Sequence, residues 1–477
     1  HFGRSSSAQN TELTQHFCKK LMENGFVEER TIKQVYSVDD GRFLPDRYIV
    51  GTCPHCGYEA ARGDQCENCT RVLDPTDLIN PRSAVSGSSN LEIKDSKHLF
   101  LKLPALESRL SAFIDEHEAE WPLVVTSIAR KWLKEGLRER CITRDLKWGI
   151  PVPVEGFEGK VFYVWFDAPI EYIGSTAEWA EKDPENRDWK SWWYDPKDVR
   201  YVEFMAKDNI PFHTIMFPAT QLASGEPWKK VDYIKGFNWL TFYGGKFSTS
   251  QKRGIFTNQA LDEFQPDYWR YWLMANAPES ADSSFTFASF AATINKDLND
   301  VLGNFVNRVL KMTASKIGPE VPAGGEWTAV ETEFAQTLQN RIADYTKYLS
   351  ELEFRKALVE LRAIWVEGNN YLTAAAPWTV IKENQETAAM ILRLALNVIR
   401  LYAVLSAPVI PETAGRILEL LNLNPDDTAW PSDNLNEELR KLKPGHAFKV
   451  PEQPLFQKIT PETVEDLCRR YGGSPEE

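Results

Sequence analysis

Hydrophobic and polar positions follow two rhythms along this chain, and the change falls near residue 295. Before it, short apolar runs rich in β-branched and aromatic residues feed helical patterns, beginning with Leu13, Phe17 and Leu21. Val161-Phe162-Tyr163-Val164-Trp165-Phe166 precedes Asp167-Ala168-Pro169, which has the form of an N-cap with an early helical proline. A strand running into a helix is predicted. Val199 to Met205 repeats the pattern and passes through Ala206-Lys207-Asp208-Asn209 into a helix-like segment holding His213. Alternating strands and helices predict a parallel α/β sheet whose ligand crevice lies at the carboxyl ends of the strands. Trp165, Asp208 and His213 sit near such ends.

After about Asn295 the period lengthens. Leu298, Val301, Leu302, Phe305, Val306 and Val309 form one apolar face at spacings of three and four, while Asn304, Arg308 and Lys311 line another. Further helices are predicted at roughly 331–350, 352–373, 383–405 and 412–423, and the residues from Glu437 read as a tail. Ala389 to Ile410 is the most apolar stretch, yet Arg393, Asn397 and Arg400 recur there at helical spacing. It reads as an amphipathic helix, because a membrane span needs ~20 uninterrupted apolar residues. No internal repeat or low-complexity segment is present.

Composition narrows the classes. The 477 residues are 43% hydrophobic and 26% charged, ordinary for a globular chain, and at ~150 residues per domain they predict about three domains. Lys and Arg number 55 against 68 Asp and Glu, a formal charge of −13. That excludes a coat of basic residues for non-specific duplex binding, so any nucleic-acid contact is local. Seven cysteines are too few for a disulfide scaffold, and the start has no secretory leader, so a cytoplasmic location is expected. The chain opens at His1 and turns helical almost at once, which is the expectation for an internal fragment.

Four of the cysteines carry the sharpest local signal. Cys53-Pro-His-Cys56, nine residues, then Cys66-Glu-Asn-Cys69 sets two CxxC turns at a spacing that brings four thiolates to the corners of a tetrahedron, the coordination Zn²⁺ prefers. Four protein ligands leave no position open, so such a zinc is structural. Gly51, Gly57 and Gly63 suit the turns around it, and His55 is expected to stay exposed. A cluster without metal, or one paired as disulfides, is the alternative. Cys18, Cys141 and Cys468 stand alone and are expected to be buried, unreactive thiols. Downstream, Gly244 to Gly254 packs Lys246, Lys252 and Arg253 with Ser248, Thr249 and Ser250. This composition suits a loop that closes on phosphates, although it lacks Walker A spacing and a solvated basic turn reads as well.

These pieces, with Phe43-Leu-Pro-Asp-Arg-Tyr48, Tyr163-Val-Trp-Phe-Asp-Ala-Pro169, Phe212-His213, Lys246-Phe-Ser-Thr-Ser250 and Ala376-Pro-Trp378, fall in the order and approximate spacing of the class I methionyl-tRNA synthetases, which the chain resembles from near residue 10 to its end. The resemblance implies ATP-dependent activation of L-methionine to the adenylate, then transfer to tRNA(Met), with Mg²⁺ accompanying ATP and no membrane partner. It places Trp165, Ala168, Pro169, Tyr172, His213 and Phe217 around the methionine side chain. Aromatic and small apolar surfaces do hold a polarizable thioether well; core packing is the plain alternative for Trp165 and Tyr172, and a satisfied core histidine for His213. The resemblance assigns ATP to Asp208, Lys207, Gly236 and Lys246, with a helix N-cap as the other reading of Asp208. It assigns catalysis to Lys246, Ser248, Ser250, Lys252 and Arg144, where a surface ion pair with Asp145 or a neighbour is the other reading of Arg144. The anticodon falls to Asn304, Arg308 and Trp378, by stacking and hydrogen bonding of splayed bases, against a solvated helix face and core packing.

The implied architecture is a Rossmann-type α/β catalytic domain without its N-terminal part, carrying an inserted zinc-knuckle connective domain and followed by an all-α anticodon-binding bundle. Its segments are 1–28 and 151–237 for the two parts of the catalytic domain, and 29–150 for the connective domain, with the knuckle at about 51–72. The loop and stem-contact region is 238–292, the helical domain 293–436 and the tail 437–477. A monomer is expected. Three departures stand out. Ala206 replaces a family glycine, Thr249 replaces the second lysine of the family's KMSKS loop, and no two of the seven histidines are three residues apart, so the HIGH motif is missing. Ala206 need not matter; with the missing motif expected upstream of His1, the chain is not expected to activate methionine by itself. A non-catalytic paralogue binding tRNA or methionine, and a zinc-knuckle nucleic-acid binder, are the competing readings.

Overall fold

The computed structural model describes residues 1–473 apart from 65, 67, 70, 72, 250, 251 and 427, and the chain divides into two units, residues 1–236 and 237–477. The first unit opens with helix α1 (Ala8–Glu23), capped by the Ser7 hydroxyl, which accepts the Asn10 N–H. Strand β1 (Val27–Ser37) follows. Strands β2 (Arg42–Phe43), β3 (Ile49–Thr52), β4 (Ala61–Arg62) and β5 (Ile79–Ser83) lead to β6 (Leu91–Leu101). β1 and β6 pair antiparallel in unbroken register from Val27↔Leu101 to Ser37↔Leu91, and β2 and β7 (Arg140–Cys141) complete that sheet in the order β2-β1-β6-β7. β3 is central to a second sheet, β4-β3-β5, which carries the cysteine turns over a small core including Val35, Leu44, Ile49 and Leu78.

Helices α2 (Glu107–His117) and α3 (Leu123–Lys134) precede β7, and the short pair β8 (Thr143–Arg144) and β9 (Val161–Phe162) runs antiparallel. Here the structure corrects a prediction. The run from Val161 to Phe166 is not one strand: it leaves the extended form at Tyr163, and α4 (Val164–Asp167) begins at once. β-Propensity reflects packing on a pleated surface more than backbone preference. The Tyr163 N–H donates to Ile142 O, and the Phe166 N–H then turns back to Tyr163 O. Helix α5 (Glu171–Glu181) follows. β10 (Val202–Ala206) starts later than predicted and joins β11 (Tyr233–Phe237) in a two-stranded sheet. Between them a π-helical turn, Phe212–Met216, runs into α6 (Phe217–Ser224).

The second unit begins with β12 (Leu240–Phe242), antiparallel to β13 (Gly245–Lys246). Helix α7 (Pro266–Ala275) comes next, then β14 (Ser283–Phe285), parallel to β12. Helix α8 (Phe287–Thr293) continues through a π-helical stretch, Ile294–Gly303, into α9 (Asn304–Lys316). Of the predicted apolar face, Leu298, Leu302, Phe305, Val306 and Val309 are each 0% exposed, and Val301 is half-buried. α10 (Ala329–Ser350) opens with a capping box formed by Thr328 and Glu331. α11 (Phe354–Ala375), α12 (Pro377–Val380), α13 (Gln385–Ser406) and α14 (Pro411–Leu420) complete the bundle.

α13 is not amphipathic as predicted. It is long and apolar enough to cross a membrane by length and composition, but 94% of that apolar window is buried within the protein, as befits a helix that is hydrophobic all round. Its polar residues turn inward to partners. Arg400 pairs with Glu438, Asn397 Oδ1 accepts the Leu442 N–H at 2.8 Å, and Arg393 donates to Gly325 O at 2.9 Å. The described part of the tail, to residue 473, packs within this unit. Tyr268 on α7 both donates to Gln457 O and accepts its N–H, and α15 (Pro461–Tyr471) closes the chain.

Candidate active site

A cavity of about 390 Å³ in the first unit gathers residues from α4, α5, β10 and the π-helical turn. α4 and the turn after it supply Trp165, Ala168 and Pro169, α5 supplies Tyr172, and the π-helical turn supplies His213. His213 Nδ1 meets Asn209 O at 2.9 Å, and a carbonyl only accepts, so Nδ1 carries the hydrogen. Burial lowers the His213 pKa, which keeps the ring neutral. Nε2 therefore presents its lone pair, and the Tyr172 hydroxyl, 2.9 Å away, donates to it.

Phe204 and Phe212 complete the walls, with the Phe212 ring centroid 4.7 Å from that of Trp165. Sequence reasoning missed both. Phe204 alternates with buried Glu203 and Met205 on β10, and that period of two was the available signal. Phe217 is the reverse case. It does not line the cavity but lies buried behind Tyr172, ring centroids 6.4 Å apart. Three carboxyls packed in this unit are pushed up by burial, Asp167 and Glu171 to about 7 and Glu203 to about 8.

Trp165 and Phe212 are also a wall of a second cavity, of about 250 Å³, which Arg144 lines. The expected alternative of an Arg144–Asp145 ion pair is absent among the described residues. The Arg144 guanidinium lies 4.0 Å from the Tyr163 ring centroid and donates to Thr143 O at 2.8 Å, while Asp145 pairs with Lys160 and His98. Lys207 and Asp208 lie in the turn after β10, with Asp208 exposed. Gly236 is buried in β11, where a Cβ would approach Val125 Cγ2 to 2.9 Å and Ile210 Cδ1 to 3.0 Å. Packing alone accounts for glycine there.

In the second unit Lys246 ends β13, its Nζ 5.9 Å from the Trp239 ring centroid. The Ser248 and Arg253 backbones exchange hydrogen bonds of 3.1 and 2.9 Å, and Lys252 adopts φ +52°. Ser250 lies outside the described residues. Farther on, the Arg308 guanidinium sits 5.2 Å from the Trp378 ring centroid, so two of the three predicted anticodon residues meet. Asn304 is exposed one turn before Arg308 on α9. Trp378 is presented by Ala376, which ends α11 in the left-handed region at φ +41°.

The four cysteines converge. Their sulfurs all lie within 4.8 Å of one another, with Cys53–Cys69 at 3.9 Å and Cys56–Cys66 at 3.6 Å. Tetrahedral Zn–S bonds of ~2.3 Å require sulfur separations near ~3.8 Å. The donor set and spacing fit zinc. Gly63 is required by the close pass of Asp46 O, 2.6 Å from where its Cβ would lie.

Comparison with known proteins agrees with this layout. The family model for class I tRNA synthetases (M) matches residues 1–310, and that for the anticodon binding domain of methionyl tRNA ligase matches 321–476. A methionine–tRNA ligase of Streptomyces avermitilis is 59% identical over 100% of this chain and 84% of its own length. One from Cereibacter sphaeroides is 56% identical over 99% of this chain and 84% of its own. Among solved structures, Mycobacterium tuberculosis methionyl-tRNA synthetase in complex with methionyl-adenylate superposes with a TM-score of 0.72 at 22% identity, covering 96% of this chain and 82% of that one. At that identity the likeness shows the fold. The catalytic-domain match over 1–310 gives no support to the expectation that the chain is inactive.

Proposed function

This chain belongs to the methionine–tRNA ligases of class I, and from that premise we propose how its own residues carry the reaction: activation of L-methionine by ATP and transfer to tRNA(Met). The observation that carries the reading is the aromatic cavity with a neutral, tautomer-fixed His213. Trp165, Ala168, Pro169 and Tyr172 hold the thioether, and Phe217 acts from behind Tyr172. The methionine carboxylate oxygen attacks the α-phosphorus of ATP, the O–P bond forms and pyrophosphate leaves. Asp208 accepts from the ribose hydroxyls, Lys207 and the backbone at Gly236 border the nucleotide, and Arg144 holds the carboxylate or phosphate. Lys246, Ser248, Ser250 and Lys252 meet the leaving pyrophosphate, where Lys252 supplies the charge that Thr249 does not. ATP arrives with Mg²⁺ as substrate.

Asn304, Arg308 and Trp378 read the anticodon, supported by the Arg308–Trp378 contact. Cys53, Cys56, Cys66 and Cys69 hold a structural zinc that fixes the β4-β3-β5 sheet. The segment boundaries given above, a monomeric state and a cytoplasmic location belong to the same proposal. Amino-acid-dependent ATP–pyrophosphate exchange across all twenty amino acids tests it. Stimulation by methionine alone is expected, and stimulation by another amino acid overturns it. A second reading, a paralogue that binds methionine or tRNA without catalysis, is favoured by Thr249 in the phosphate loop. It predicts methionine binding with no exchange.

A further inference from the structure

Arg144 lines the cavity of about 250 Å³ from β8, a strand of two residues with little pairing of its own to keep it from turning. Successive side chains on a strand point to opposite faces. Thr143 and Asp145, on the two sides of Arg144, share the face away from it, and both end on one residue, His98 of β6. His98 is 0% exposed. Its Nε2 meets Asp145 Oδ2 at 3.0 Å and Gln34 Oε1 at 3.3 Å. Both oxygens only accept, so Nε2 carries the hydrogen, and Nδ1 accepts from the Thr143 hydroxyl at 2.9 Å. The Thr143 oxygen in turn accepts the Leu99 N–H at 3.1 Å. Each donor along this chain of bonds meets an acceptor.

The far side of Asp145 is held as well. Lys160, just before β9, pairs with its carboxylate, the Ser96 hydroxyl donates to it at 2.7 Å, and Lys160 donates to Ser96 Oγ at 2.7 Å. Burial opposes the charge, but His98, Lys160 and Ser96 keep Asp145 well below the usual carboxylate range. The network ties β1, β6 and the entry to β9 to the two residues that flank Arg144. On the opposite face the Arg144 guanidinium lies over the Tyr163 ring and donates to Thr143 O at 2.8 Å and to Cys141 O at 3.5 Å. The nearer of these acceptors is the carbonyl of the gripped Thr143 itself.

We propose that His98 is a positioning residue for amino-acid activation: it holds Thr143 and Asp145 so that Arg144 enters the cavity beside Trp165 and Phe212 in one orientation. This role rests on the one given above to Arg144, that of holding the carboxylate or phosphate. A guanidinium binds such groups through a planar fork of N–H donors, so its direction matters as much as its distance. Misplacing an orienting group by ~1 Å costs up to ~100-fold in rate. Trp165 and Phe212 are shared with the methionine cavity, so a turn of β8 carries the guanidinium away from the wall that the amino acid meets. His98 itself touches no reacting atom, and its loss falls on alignment.

Thr143→Val probes this by one atom, because it keeps the branched shape and removes the hydroxyl that His98 accepts. In methionine-dependent ATP–pyrophosphate exchange by the zinc-loaded chain, Thr143→Val and His98→Gln should each lower kcat about tenfold with the KM for methionine within about twofold, and Thr143→Ser should restore kcat. In an Arg144→Ala background, Thr143→Val should cost less than about twofold more, since a group acting through Arg144 has nothing left to position. A tenfold loss in both backgrounds, or no loss in either, overturns the assignment. A second readout is independent of the reaction. Phenylglyoxal modification of Arg144, followed by mass spectrometry, should run about fivefold faster in Thr143→Val and His98→Gln than in the parent and Thr143→Ser, as the guanidinium leaves the Tyr163 ring. Thr143→Val decides where the buried His98→Gln does not fold. Equal modification rates overturn the clamp, while faster modification in a chain whose parent never exchanges upholds the clamp and counts against the proposed function.

Discussion

The cysteine cluster and the aromatic cavity, both in the first unit, are encoded in opposite ways. The cluster takes its four sulfurs from two turns of one short sheet, within a core of few residues. The cavity assembles Trp165, Tyr172 and His213 from a one-turn helix, a longer helix and a π turn, against the large core of the unit. One site is local and leans on a ligand; the other is distributed and leans on packing. Removing what each leans on therefore has different reach.

Withdrawing zinc is the largest perturbation. Metal binding contributes ~10–16 kcal/mol to folding in small structural zinc domains near neutral pH, and the core around Ile49 and Leu78 is too small to replace it. Cys66→Ser, or a chelator, is expected to release one zinc per chain and to expose the amides of β3, β4 and β5 to exchange. Protection of α5 and α6, which carry and back the cavity, should persist. Equal loss of protection in those helices would break the contrast between local and distributed sites.

A pH series reads the distributed region next. Asp167 and Glu171 at about 7 and Glu203 at about 8 hold protons in the folded chain that the unfolded chain gives up near ~4. The folded state thus binds more protons between those limits, and stability declines as pH rises from ~4 to ~8. His213 acts oppositely: its lowered pKa costs stability below ~6.5, where the unfolded chain gains a proton. The three carboxyls outnumber it. Urea unfolding of the chain and of Glu203→Gln should show the parent losing stability toward pH 8 and the variant losing less; identical slopes would sink the assignment.

How much of this was legible follows the same division. The cysteine spacing is a local code, and the four sulfurs meet as that spacing implies. The apolar face from Leu298 to Val309 was equally plain, because a period of three and four is set by the helix itself. Tertiary contacts wrote the rest. Val164 to Phe166 has strand-like composition, yet its backbone closes a helical turn. Arg393, Asn397 and Arg400 looked like a solvent face because nothing local revealed that Gly325, Leu442 and Glu438 would satisfy them. Phe212 was left out of the cavity and Phe217 set in it, since the π turn Phe212–Met216 has no composition of its own, while Phe204 comes from β10.

The second unit offers a smaller test. Trp378 and Arg308 touch, and stacking on an aromatic ring contributes ~1–3 kcal/mol per base. Trp378→Ala is expected to lower kcat/KM for tRNA roughly ten- to a hundredfold while exchange is unchanged. A matching loss of exchange would show that the substitution reaches beyond tRNA recognition.

The finest cut separates two atoms inside the cavity. The Tyr172 hydroxyl donates to His213 Nε2, and Asn209 O fixes the other nitrogen as the donor. Tyr172→Phe keeps the ring and its packing but leaves Nε2 without its partner, at a cost of about 1 kcal/mol. The KM for methionine should rise about fivefold with kcat within about twofold, because the lost contact orders the ground-state pocket and touches no reacting atom. Norleucine, which fills the same volume without sulfur, sharpens the result. If the hydroxyl turns from His213 to the thioether when methionine binds, the variant loses affinity for methionine and keeps it for norleucine. An equal loss for both would assign Tyr172 to holding His213 in place.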